Sequence, residues 1–348
     1  HDWREPLPHS SNREENGMWK ELEEAGADTP EREPIFRKDL EVLDGSLSFL
    51  DEKAAAEEDK PWAACAGFVL PHPPWKARED ILETYKGKGD LPFNHKGEKR
   101  DICDRYLQEF YGNLRHLSEE QIKKAREVYF ALITEFDEYC GRILDKLEST
   151  GLAENTIVFY FSDHGELAGE HGNWSKVSLL EPSIRVPLIV SWKGHFESGR
   201  RCSVPVSLLD LHPTFTDIAG VELPENLVIR GKSLLPYIEG KADSPAGNDI
   251  LVEMEGEGWN HCRACLRRGR YKLVYNHTDG YHFYDLEKDP HEMNDLSDNA
   301  EVADIAADMK KSLSGLWDDP EHLDRKVLNS QARRRIAKNR NPCKDLGY

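Results

Sequence analysis

Apolar positions along the chain change rhythm several times, and each change predicts an element. From Ile122 the apolar residues Ala125, Tyr129, Leu132, Ile133, Phe136, Cys140, Ile143, Leu144 and Leu147 recur at three- and four-residue spacing, which predicts one face of a long amphipathic helix. Ser118-Glu119-Glu120-Gln121 is a capping box at its start, and Gly151 is placed to close it. A continuous apolar run, Thr156 to Phe161, follows at once and reads as a strand buried on both faces. Helix, short turn and strand make an α/β unit. Ala64 to Leu70 is a second short apolar run, predicted as a strand stopped by Pro71-His72-Pro73-Pro74. Val186 to Trp192 reads as a further strand, and Leu208 to Phe215 as the opening of a helix that ends near Gly220.

The ends of the chain follow a different grammar. Residues 1 to about 60 are rich in charge and proline, which predicts a loop-rich surface region apart from a helix-like stretch from Phe36 to Leu50. Gly240 to Gly247 is the best candidate linker. Beyond it, strand-like pieces at Ile250 to Met254, Cys262 to Arg267 and Tyr271 to Tyr275 come without helices between them; Phe283 to Leu286 then precedes a polar turn, and a helix follows from Glu301 to Trp317. That order predicts a small antiparallel sheet carrying one helix. The basic tail Arg333-Arg334-Arg335 reads as solvated or packed on the acidic body. The division is thus residues 1–240, an α/β region, and 241–348, a smaller α+β subdomain.

Composition narrows the function classes. The 348 residues carry a formal charge of −19, which argues against general binding to nucleic acid or an anionic membrane surface. Any anionic substrate must be met by local positive charge or a cation. No run approaches the roughly 18 to 20 apolar residues of a membrane helix, so the chain reads as soluble. The opening HDWREPLPHS lacks the apolar region of a signal peptide, and the compartment is left open between cytoplasm and periplasm or secretion. Seven cysteines, an odd and scattered number, do not form a disulfide framework. Cys262-x-x-Cys265 stands alone and reads as ordinary thiols, and the sequons at Asn173 and Asn276 do not establish secretion.

Candidate chemistry clusters where the Thr156 strand ends. In open α/β sheets ligands sit beyond the carboxyl ends of strands, which is where Ser162, Asp163 and His164 emerge. Asp163 offers an anionic oxygen and His164 an imidazole nitrogen, both reasonable ligands for a divalent cation; the bland alternative is a turn-capping aspartate beside a surface histidine. Lys176, 12 residues later, adds a positive charge able to hold a tetrahedral anion. His171 in the intervening glycine-rich loop could serve as a third ligand, or pack the loop or the substrate rim. His72, at a separate strand tip, has the titration range of a general acid.

Taken in order, these residues resemble the sulfatase family of the alkaline phosphatase superfamily, of the choline-sulfatase-like and iduronate-sulfatase-like kind. The resemblance rests on Ser162 to Glu166, Gly169 to Gly172, Lys176 and Arg185 to Ile189, with the PHPP at 71–74 upstream. SLLDLHPTFTDIAG from Ser207, RGKSLLPYIEG from Arg230, and RRGRYKLVY followed by FYDLEKDPHEMNDL lie downstream. It covers roughly residues 60 to 300. It implies an alkaline-phosphatase-like mixed sheet sandwiched by helices, with the smaller C-terminal α+β subdomain. It also implies that Asp163 and His164 ligate Ca²⁺, that His72 and Lys176 contact the sulfate, with His171 near the substrate, and that His72 or Lys176 protonates the leaving alcohol. Where some relatives carry a lysine before the proline-histidine pair, this chain has Leu70.

The resemblance further implies a formylglycine nucleophile made from a Cys or Ser in C/S-x-P-x-R. No such motif occurs in the 348 residues: Cys202 opens C-S-V-P-V, and no cysteine has proline two positions on. The paired aspartates of the family's first strand are also missing. The expectation is a partial catalytic domain whose nucleophile and N-terminal strands lie outside this chain, inactive alone. The expected partners are a small-molecule or carbohydrate sulfate ester and the missing segment or a second copy, with no nucleic acid and no membrane. Two alternatives stand beside it: a phosphonate monoester hydrolase or phosphodiesterase of the same superfamily, and a noncatalytic remnant with a sulfatase fold.

Overall fold

The computed structural model describes residues 18–29, 32–57, 60–96, 117–224, 226–241, 249–255 and 261–340. The first region is built around four helices: α1 (Met18–Glu23), α2 (Pro34–Ala55), α3 (Glu79–Tyr85) and the 31-residue α4 (Glu119–Ser149). The capping box predicted for α4 is present, with the Ser118 side chain accepting from the Gln121 N–H at 3.2 Å and the Gln121 side chain accepting from the Ser118 N–H at 2.7 Å. Gly151 takes φ 78°, the left-handed backbone that glycine adopts without cost.

Within residues 32–57 the helix-like stretch expected from Phe36 to Leu50 is present and extends beyond those bounds. Pro34 opens α2, and Phe36, Leu43 and Leu50 fall on one face and are buried. They belong to the core because their spacing is helical despite the charge density around them. The main core joins Leu22, Phe36, Leu43, Leu70, Trp75, Ile81, Val128, Leu132 and Trp174. Two buried carboxylates sit beside it: Glu135 receives both Arg32 at 2.7 Å and the Tyr139 hydroxyl at 2.7 Å, and Asp39 is taken up below.

Ala64 to Leu70 is not a strand. Its backbone N–H groups at Val69 and Leu70 donate instead to the two oxygens of the Asp39 carboxylate, at 2.8 and 2.9 Å. A side chain of α2 thus fills the bonding positions a neighbouring strand would use.

Three small sheets are present among the described residues. β1 (Gly26–Ala27) and β2 (Lys76–Ala77) are parallel. β3 (Val158–Phe161) pairs antiparallel with β4 (Leu188–Ser191), Phe161 opposite Leu188. Phe159 meets Phe215 of α5 (Leu211–Ala219) at 4.9 Å, while Tyr160 meets Phe136 of α4 at 5.9 Å. A helix therefore lies over each face of the ribbon, but β3 is not buried on both faces as its apolar run suggests. No residue of β3 or β4 is buried, with Phe161 41% and Ile189 60% exposed. Each strand has a single partner among the described residues, which leaves much apolar surface open.

The C-terminal sheet follows the predicted order: β5 (Asp249–Glu255), β6 (Cys262–Arg268), β7 (Tyr271–Asn276) and β8 (Gly280–Asp285), an antiparallel meander. α6 (Ala303–Leu316) covers one face, and the basic tail continues a second helix, α7 (Pro320–Arg340), on which Arg333 is exposed. Cys262, Leu266, Leu273 and Phe283 face these helices, while Cys265 and Val274 face Leu179 on the other side. Three residues apart on a strand, Cys262 and Cys265 point to opposite faces, so the C-x-x-C is neither a metal clip nor a disulfide. Asn173 and Asn276 are both 1% exposed, which closes both sequons to modification in the folded chain. The linker at 242–247 lies outside the described residues. No described helix is long and apolar enough to cross a membrane.

Candidate active site

His72 sits in the proline turn that ends the Asp39-anchored segment, with its N–H bonded to the Val69 carbonyl at 2.8 Å. Its Nδ1 lies 2.9 Å from the Pro73 carbonyl oxygen. A carbonyl only accepts, so Nδ1 carries the proton and Nε2 presents a lone pair. Lys176 Nζ donates to that lone pair at 3.2 Å. One edge of the ring remains open to solvent, yet the protein packed around it withholds much of its water. That burial first, then the charges of Lys176 and His164, hold His72 below the ordinary imidazole range.

Asp163 and His164 occupy the bend after β3. Ser162 Oγ donates to the His164 carbonyl at 2.8 Å, and Asp163 Oδ1 accepts the His164 N–H at 3.0 Å. His164 Nδ1 lies 2.9 Å from the Gly165 carbonyl oxygen, so it too carries its proton on Nδ1. The Nε2 lone pair lies 3.7 Å from Asp163 Oδ2. A ring held by a backbone carbonyl on one nitrogen and offering the other is the arrangement of a metal-ligating histidine. Its centroid is 6.0 Å from that of His72. Gly165 is required here, because a Cβ would stand 2.0 Å from the Pro182 carbonyl oxygen.

The loop that delivers Lys176 is organised from inside. Glu166 Oε1 accepts the N–H groups of Ala168 at 3.0 Å and Ser175 at 2.6 Å. Burial pushes Glu166 up to about 7, against the pull of those two donors. Trp174 packs edge-on against Trp75 with centroids 5.1 Å apart. Because Trp75 follows His72 by three residues and Trp174 precedes Lys176 by two, this contact sets the two polar groups opposite each other.

His171 is placed differently from the other expected residues. It is fully buried, with φ 54°, and its Nε2 is 3.2 Å from the Asn94 amide nitrogen. Among the described residues, no third His, Cys, Asp or Glu joins Asp163 and His164 with ligand atoms mutually within 4.8 Å.

The C-terminal sheet holds the far side of the loop. Arg263 Nη2 donates to the Val177 carbonyl at 3.0 Å. The fully buried Lys272 ammonium bridges Glu181, at 3.2 Å, and Glu292, at 2.7 Å, and Glu292 also accepts the Glu181 N–H at 2.7 Å. Sequence reasoning did not single out Asp39, Trp75, Trp174, Arg263 or Lys272. The available signal for Lys272 was a cation between Tyr271 and Leu273 in an otherwise apolar strand.

With this geometry in view, known proteins give a consistent match. The family model described as Sulfatase matches residues 10–221, and that described as N-sulphoglucosamine sulphohydrolase, C-terminal, matches residues 169–319. Choline-sulfatase of Rhizobium meliloti (strain 1021) is 32% identical over 294 residues, 81% of this chain and 55% of that protein. The chain spans about half the length of the curated relatives it matches. The solved structure of BT4656 in complex with its substrate D-Glucosamine-2-N, 6-O-disulfate superposes with TM-score 0.67 at 24% identity, over 80% of this chain and 68% of that one. The phosphonate monoester hydrolase of Agrobacterium radiobacter gives TM-score 0.64 at 24% identity, over 79% and 60%. These likenesses in structure show the alkaline-phosphatase-like fold.

Proposed function

This chain belongs to the sulfatase family, and from that premise we propose that it serves the hydrolysis of a sulfate monoester to an alcohol and inorganic sulfate. The carrying observation is that Lys176 Nζ meets His72 Nε2 at 3.2 Å, with the His164 ring 6.0 Å from that of His72. Residues from three separate segments thus converge on one open position. A small-molecule or carbohydrate sulfate ester is the proposed substrate, the class to which the disulfated glucosamine bound by one structural neighbour belongs.

Asp163 and His164 are assigned to a divalent cation, Ca²⁺ by family resemblance. Their fit rests on the His164 Nε2 lone pair and the exposed carboxylate beside it. Bound there, the ion supplies charge neutralisation for the sulfuryl oxygens. Calcium takes roughly six to eight oxygen ligands, so most of its shell is assigned to groups other than these two. The formylglycine nucleophile is assigned to a residue outside the 348.

Lys176 and His72 do the remaining work. The ammonium of Lys176 places fixed positive charge where a tetrahedral anion docks. His72, held below the ordinary imidazole range, carries no proton on Nε2 at neutral pH, so the proton for the departing oxygen comes from the Lys176 ammonium by way of Nε2, leaving Lys176 neutral until solvent reprotonates it. His171, bonded to Asn94 inside the loop, is assigned the support of that loop rather than a ligand position.

The test is turnover of an aryl sulfate and an aryl phosphonate ester by the product of the complete gene. Sulfate turnover should dominate, and Lys176→Ala and His72→Ala should each lower kcat/KM for sulfate by roughly a hundredfold or more. Faster phosphonate turnover would move the assignment to the phosphonate monoester hydrolases of the same superfamily.

A further inference from the structure

We infer that His261, His277 and Asp324 form a second metal site, for zinc or a similar late first-row dication, in the C-terminal subdomain and separate from Asp163 and His164. The ligand atoms of the three lie mutually within 4.8 Å. His261 directly precedes β6 and His277 directly follows β7, so the two histidines flank the same end of neighbouring antiparallel strands. The His277 N–H points at the Cys262 carbonyl oxygen, 3.4 Å away, which closes that end. Asp324 comes from the early turns of α7 and is only 6% exposed.

The distances suit a small ion. His261 Nδ1 is 2.8 Å from Asp324 Oδ1, and His277 Nε2 is 3.7 Å from Asp324 Oδ2. Zinc–ligand bonds of about 2.0–2.1 Å at tetrahedral angles separate ligand atoms by about 3.3–3.4 Å. The two observed separations, made to different oxygens of the Asp324 carboxylate, fall on either side of that edge, so the three residues reach a common ion by small side-chain movements. The imidazole rings already lie nearly parallel, 20° apart, with centroids at 5.6 Å. A metal entering here replaces the proton shared by His261 and Asp324, which is released to solvent.

The ligand set selects the class of ion. Two imidazole nitrogens and one carboxylate suit zinc and its neighbours, whereas calcium and magnesium take shells of oxygen. Cys262 does not supply a fourth ligand, since its thiol donates to the Pro320 carbonyl at 3.2 Å and burial pushes it up to about 12. The fourth position is left to water. A bound ion would tie α7 to the edge of the sheet.

The test is Co²⁺ titration of the untagged, reduced, chelator-stripped chain, read by the visible absorption of four-coordinate cobalt, with Zn²⁺ as displacer. Wild type should develop the cobalt bands and lose them to zinc, while excess Ca²⁺ leaves them unchanged. His277→Ala and Asp324→Asn should each weaken cobalt binding at least roughly tenfold, and circular dichroism of the stripped variants reports whether each still folds. Asp163→Asn should bind cobalt as wild type does, which separates this site from the one at β3. Absence of cobalt bands in the wild type would overturn the assignment. So would wild-type binding by the folded His277→Ala protein, displacement by calcium, or loss of the bands in Asp163→Asn.

Discussion

The β3–β4 ribbon and the β5–β8 sheet are both antiparallel and both rich in aliphatic and aromatic residues, yet they bury them very differently. In the sheet, Cys262, Ala264, Leu266 and Leu273 are fully excluded from solvent, and both faces are covered. In the ribbon no residue is buried, and Ile189 is 60% exposed. The candidate active site nevertheless sits at the end of the ribbon. Its rigidity comes from braces outside the ribbon: the Asp39 carboxylate behind His72, the Trp75–Trp174 contact between His72 and Lys176, and the Lys272 network beyond Lys176. The consolidated region buries the larger core, and the sparsely covered one carries the candidate site.

Lys272→Ala is the strongest way to break this contrast. The substitution leaves the Glu181 and Glu292 carboxylates facing each other with their shared cation gone. Removing one partner of a buried ion network costs about 3–5 kcal/mol, so urea denaturation should show a loss of that size. Because Glu181 lies five residues beyond Lys176, sulfate turnover should fall as well. A loss under about 1 kcal/mol would mean that the loop is held by something other than the sheet.

Much of this was legible in the sequence where one local rule decided the outcome. The α4 capping box, its Gly151 stop and the first three C-terminal strands follow from spacing and turn residues alone. Asp163 and His164 could be singled out because such groups gather at strand ends, whereas His72, which reads as a strand tip, lies in a turn instead. Reading failed where the partner was distant. Ala64 to Leu70 has strand composition, but a carboxylate 30 residues upstream takes its N–H groups. Thr156 to Phe161 reads as doubly buried because an apolar run records what a strand can bury, not what covers it. For His171 the sequence leaves ligand, substrate rim and loop packing open, and the structure adds its burial and its contact with Asn94.

Asp39→Ala tests the brace on the His72 side. It leaves the Val69 and Leu70 N–H groups without their acceptor, and an orphaned buried donor costs about 1–3 kcal/mol. The loss should be smaller than for Lys272→Ala, and the His72 ring resonances should broaden or shift as its turn loosens. An unchanged His72 spectrum would assign the turn's rigidity to its prolines. Smaller again is Ile189→Ala. Exposed as it is, Ile189 should alter stability by no more than about 0.5 kcal/mol, against about 2–5 kcal/mol for Leu273→Ala in the sheet. Equal losses would erase the distinction between ribbon and sheet.

The smallest effect concerns protons. His72 in the folded chain has its pKa below the ordinary 6.5, so between the two values the unfolded chain binds more protons than the folded one. Stability contributed by this group therefore rises as pH is raised toward 6.5 and is constant above it. Burial is the larger cause and the Lys176 charge a lesser one. Lys176→Met should thus move the NMR titration midpoint of the His72 ring upward without restoring it to the free value. A midpoint well above neutral pH in the wild type would sink the neutral His72 on which the proposed proton path depends. It would put positive charge on both members of the His72–Lys176 pair, and their 3.2 Å hydrogen bond would lose its acceptor.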